Sequence, residues 1–171
     1  MSECKKFFGK YRGTVVNNVD PEQRGRVQVM VPDVAGFALT SWAMPALPIG
    51  GLQMGLFSLP MIGSGVWVEF EQGDLDYPIW TGVYWGSAAE LPALSRIVPP
   101  AVPGITMHTP LQNGIVISDV PGPTGGIMLT TTSKAMILIN EVGITLSNGQ
   151  GAMIQMIGPN VIINGGALII Q

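Results

Sequence analysis

The sequence predicts an all-β protein in two parts, a small closed barrel followed by a stack of short strands. Three observations carry this expectation. Apolar residues alternate with polar ones at Arg26–Val31 and Gly65–Glu71, the period of a half-buried strand. From Gly114 onward, strand-like starts recur at Ile115, Ile127, Met136, Ile144, Met153, Val161 and Leu168, at spacings of 12, 9, 8, 9, 8 and 7 residues. Gly (23) and Pro (14) are abundant, which favours turns, and no segment shows helical periodicity.

In the first part, Tyr11–Asn17 reads as a strand. The turn Asn18-Val19-Asp20-Pro21-Glu22-Gln23-Arg24-Gly25 follows, where Asp-Pro and Arg-Gly supply turn chemistry. In the next strand Val27, Val29 and Val31 share one face, and Pro32 ends it. Residues 34–68 contain no charge, yet Pro45, Pro48 and Pro60, with Gly50, Gly51, Gly55, Gly63 and Gly65, leave no window of about 18 apolar residues for a membrane helix. A buried or partner-facing loop is expected there. Val66, Val68 and Phe70 then share a face, with Glu69 and Glu71 opposite; Gln72–Asp76 turns, and Pro78–Tyr84 forms the next strand. About five strands in some 80 residues suggest a small closed barrel.

Residues 87–113 hold Pro92, Pro99, Pro100, Pro103 and Pro110 and read as a semi-rigid linker. Beyond it, Asp119, Lys134 and Glu141 are the only charges between Gly114 and Gln171. In Ile144-Thr145-Leu146-Ser147, Ile144 and Leu146 point inward, whereas Met136–Ile139 is apolar on both sides. Such strands, with no helix to cover them, are expected to wind around copies of the same chain. The expected divisions are a barrel at 1–86, a Pro-rich linker at 87–113 and a β-spike at 114–171.

Charged residues make up 11% of the 171, about half the usual share, so much of the surface is expected to meet other chains. The net charge of −3 argues against a strong pull toward nucleic acid. The one cysteine, Cys4, allows no intrachain disulfide, and the N-terminal residues lack the apolar stretch of a secretory signal.

The pattern Gly13-x-Val15, Asn18-x-Asp20-Pro21, Gly25-Arg26-Val27-x-Val29, Pro32, Trp42-Ala43, Pro60-x-x-Gly63-x-x-Val66-x-Val68-x-Phe70, Gly73-Asp74, Pro78 and Gly82 resembles the phage baseplate assembly protein V family. It is also similar to the matching part of VgrG spikes of type VI secretion and to spikes of extracellular contractile injection systems. The resemblance implies an N-terminal OB-fold barrel followed by a C-terminal intertwined trimeric β-helix. It implies a non-enzymatic central spike that is seated on a baseplate hub, pierces the target envelope and needs no cofactor. Implied partners are two further copies, a hub protein, a PAAR-type tip protein, the tail tube indirectly and the target membrane transiently. The implied location is a virion tail baseplate or injection particle, after synthesis in the bacterial cytoplasm. Some family members carry a lysozyme domain between barrel and helix, for which 87–113 is too short, and others end in a His-x-His metal apex that this sequence lacks.

Within that frame, the expected trimer core comprises Ile127, Leu129, Ile144, Leu146, Ile154, Met156, Val161 and Ile163. Leu168, Ile169 and Ile170 are expected to meet the tip protein. Lys5, Lys6, Lys10, Arg12, Arg24 and Arg26 form a basic cluster expected to dock on the hub. The competing reading of that cluster is an OB-fold nucleic-acid-binding protein with a trimerising β tail, in which Phe7, Phe8 and Tyr11 stack on bases. His108, the only histidine, is read as a linker residue rather than an axial metal ligand, and Glu69, Glu71, Asp74 and Asp76 as a solvated or hub-facing edge rather than paired catalytic carboxylates.

Overall fold

Alternating valines build the first of two units into which the chain divides, Met1–Glu90 and Leu91–Gln171. The computed structural model describes residues 5–170; Cys4 lies outside the described residues. In the first unit the strands are β1 (Tyr11–Asn17), β2 (Gln28–Met30), β3 (Met44–Pro45), β4 (Gly50–Gly51), β5 (Met54–Gly55), β6 (Gly65–Phe70) and β7 (Pro78–Tyr84). They form a sheet ordered β2-β1-β6-β7-β3, with β4 and β5 as a separate hairpin. Two backbone bonds close the sheet between β2 and β3: Val27 N–H to Ala43 O at 3.1 Å and Ala43 N–H to Val27 O at 2.8 Å. Closure leaves a central cluster of Val15, Val27, Val29, Val31, Ala43, Val66, Val68, Phe70 and Trp80. The Trp80 indole donates to Gly25 O at 3.1 Å, so this buried donor is satisfied. Pro32 stops β2 and opens a single helical turn, α1 (Pro32–Ala35).

The second unit is one antiparallel sheet of consecutive strands: β8 (Gly104–His108), β9 (Gly114–Ser118), β10 (Gly126–Thr130), β11 (Met136–Ile139), β12 (Ile144–Ser147), β13 (Met153–Ile157), β14 (Asn160–Ile163) and β15 (Leu168–Ile170). Asparagines organise the tight turns. The Asn140 side chain accepts from Val142 N at 2.9 Å, and the Asn148 side chain accepts from Gln150 N at 2.8 Å and Ala152 N at 3.1 Å. Gly143, at φ 152, enters β12 where a Cβ would run into the Met156 carbonyl oxygen of β13.

Each expected strand start falls within one residue of a strand's first residue. Two expectations are corrected. The segment 87–113 is not a bare linker: it contains β8, whose Ile105 and Met107 pair with Ile117 and Ile115. Within the chain described, the strands of the second unit pair among themselves. Each pairs with its neighbour in the same chain, because turns this short return the strand directly beside its predecessor. Glu71 does not share the face of Glu69, because β6 ends at Phe70 and Glu71 opens a 3-10 turn. Among the described residues no helix is long and apolar enough to cross a membrane.

Candidate functional site

Unbroken register makes the second sheet chemically two-faced. Opposed residues in antiparallel strands share a face. Following the pairing from β8 to β14, one column runs Ile105, Ile117, Ile127, Ile139, Ile144, Met156, Val161. A second runs Met107, Ile115, Leu129, Ile137, Leu146, Ile154, Ile163 and, in β15, Leu168. Every member is apolar. All eight residues expected in the trimer core lie in these columns. Composition hid Ile105 and Met107, which sit among prolines.

This face is uncovered. Ile127 and Ile139 are each 44% exposed. A groove of about 770 Å³ follows the second column past Ile115, Leu129, Ile137, Leu146, Ile154 and Ile163. The other face is mixed, running Thr106, Val116, Met128, Leu138, Thr145, Gln155 and Ile162 along its middle. A contiguous apolar face of this extent marks an interaction surface. Fully burying one Ile or Leu is worth roughly 1.5–3 kcal/mol, so covering two such residues per strand is a large driving force.

His108 belongs to the mixed face, since it opposes Gly114 while Met107 opposes Ile115. Its Nδ1 lies 2.7 Å from Thr109 O, and its Nε2 is buried without a partner. Among the described residues no group of three or more His, Cys, Asp or Glu side chains is placed to hold a metal. Strand β15 is one of the sheet's two edges, β8 being the other, and it pairs with β14; Leu168 is exposed, and Ile169 and Ile170 enter only through their backbone pairing.

Most of the basic residues expected to meet the hub also make contacts within the barrel. Arg26 reaches Asp20 Oδ1 through Nε at 3.0 Å and Nη2 at 2.6 Å, and Glu22 at 3.1 Å. Asp20 also accepts from the backbone N–H of Glu22, Arg24 and Arg26. The Arg26 guanidinium, followed by these amides, holds the Asp20 carboxyl well below the usual carboxylate range despite its burial. Reciprocally, the hydrogen bond to Asp20 raises Arg26. Glu22 is lowered chiefly by its hydrogen bond to Arg24. Lys10 bonds Glu69 at 2.7 Å and Thr81 Oγ1 at 2.9 Å, and Lys6 lies 3.9 Å from Asp74. Lys5 sits over the Phe7 ring. Arg12 lies over both Trp67 and Tyr84, whose rings are 5.0 Å apart. Phe7 and Tyr11 pack against Phe70 and one another, so neither is a free stacking platform; Phe8 is exposed.

Residues 11–85 match the family model described as the type VI secretion system/phage-baseplate injector OB domain. Residues 104–169 match the one described as the phage baseplate V C-terminal trimerisation domain. No curated protein matches the chain. The first unit therefore carries an OB domain and the second a trimerisation domain, whose match begins at Gly104, the first residue of β8.

Proposed function

We propose, from the premise that this chain belongs to the phage baseplate V family through both of its domains, that it is the homotrimeric central spike of a contractile tail or injection machine. Its role in the baseplate is structural. The observation that carries the trimer is the uncovered double column of apolar residues on the second sheet, facing no other element of its own unit. Three such faces turned toward one axis form a triangular β-prism with a dry interior. Each chain keeps its own backbone ladder, and side chains join the three. Eight strands at about 4.8 Å make a stub roughly 34 Å long. In this arrangement His108 faces outward, away from the axis, which argues against an axial metal.

The spike acts mechanically, with no catalytic step. Contraction drives it forward, and it transmits thrust without unfolding. Lys5, Lys6, Lys10, Arg12 and Arg24 remain candidates for the hub contact; Arg26 is committed to Asp20. The edge strand β15, with Leu168, Ile169 and Ile170, is the proposed seat of a PAAR-type tip protein, since an open strand edge invites pairing. Light scattering tests the core of the reading. A mass of about 54 kDa, three chains of 18.1 kDa, is expected, and a folded 18.1 kDa monomer sinks it.

A further inference from the structure

The barrel carries a second apolar feature that its fold does not use. Between β3 and β6 the chain projects the β4–β5 hairpin, with Gly50 opposite Gly55 and Gly51 opposite Met54. At its tip Leu52 is 95% exposed, and Phe57 beyond the hairpin is 67% exposed. No charge occurs anywhere in 34–68. At the base of the hairpin opens a groove of about 730 Å³, walled by Leu47 and Leu56, which flank the hairpin, and by Ile62, Val83, Tyr84 and Trp85 among others. Glu90 is the one charged residue of its lining.

We infer that the hairpin tip of each barrel seats in the groove of the next barrel around the threefold axis, the occupant of the groove being a second copy of this chain. The inference rests on the trimer proposed above. Cyclic trimers need a heterologous contact, in which two different patches of one subunit meet head to tail and the ring closes. Hairpin and groove are such a pair, a knob and a recess on one barrel, both apolar and almost without charge. Interfaces between permanently associated copies are the ones that resemble a hydrophobic core. A trimerisation domain on the same chain holds the three barrels at high effective concentration, so the contact need not be strong alone.

The test uses the full chain in a Cys4→Ser background. Leu52→Cys and Val83→Cys are introduced together and singly, then oxidised. The double variant is expected to run as a covalent trimer on a denaturing gel, and each single variant as a monomer. A double variant that light scattering shows to be trimeric, but that yields only monomer bands or an intrachain crosslink, overturns the inference and leaves the spike reading standing. A monomer by light scattering overturns both. Leu52→Asp provides a second readout, because a side chain this exposed cannot disturb the barrel's own fold. Collisional quenching of tryptophan fluorescence in the trimer is expected to rise as Trp85 and the groove become accessible; unchanged quenching in a folded trimer also overturns the inference.

Discussion

Arg26 and Asp20 form a two-pronged ion pair whose shorter arm is 2.6 Å, with side chains only 13% and 3% exposed. The pair ties the turn 20–26 to the start of β2. The Asp20 carboxyl is depressed in the folded chain, so its contribution to stability is complete above its ordinary value of 3.8 and is lost as pH falls below it. All four tryptophans, Trp42, Trp67, Trp80 and Trp85, lie in the barrel, so their fluorescence reports this unit alone. Acid titration is expected to unfold the barrel below about pH 4. Asp20→Asn should destabilise it at neutral pH and flatten that acid limb. An unchanged acid limb in the variant sinks the assignment.

Charge on the apolar columns should separate the chains without unfolding the sheet. Ile137 and Ile139 are already part-exposed in a single chain, so Glu at either costs the isolated unit little. In a trimer it places carboxylates in a dry interior, which is costly. Ile137→Glu is expected to lower the mass from about 54 kDa toward 18.1 kDa. A trimer that survives shows that some other face meets the partners.

Gly143 carries a stability test of the ladder itself. Its φ of 152 is one that a residue with a Cβ rarely adopts, and the Met156 carbonyl blocks the added atom. Gly143→Ala should cost more than about 1 kcal/mol per chain. The expected readout is a trimer that dissociates at a lower temperature than the wild type, with tryptophan fluorescence unmoved.

Truncation should discriminate between boundaries. Cutting after Glu90 follows the division between units, whereas cutting after Asn113 leaves β8 without β9. The 1–90 fragment is expected to fold and be largely monomeric at micromolar concentration; the 1–113 fragment should fold equally well but associate through exposed Ile105 and Met107. An unfolded 1–90 fragment, by circular dichroism, refutes the independence of the barrel.

Removal of 166–171 tests the proposed tip seat. It deletes β15 and exposes β14 as the edge. The variant is expected to remain trimeric yet fail to retain a co-expressed PAAR-type tip protein. Equal retention by both forms, or by neither, rejects the docking idea.

What the sequence by itself determined here is local. Period-two alternation placed Val27, Val29, Val66 and Val68 inside the barrel, and Ile144 and Leu146 on one side of a strand, because successive side chains of a strand point to opposite faces whatever lies beyond. Turn residues marked the strand starts because Gly and Asn supply the backbone angles and local hydrogen bonds that a reversal needs. The tertiary structure decided what is paired with what. Lys10 meets Glu69 across 59 residues, and no pattern within either segment announces it. Strand β8 is a strand because β9 supplies its hydrogen bonds, even though its surroundings are rich in proline. The apolar columns exist only once register aligns Ile105 through Val161 across neighbouring strands; before that they are scattered aliphatic residues whose shared face no single segment can specify.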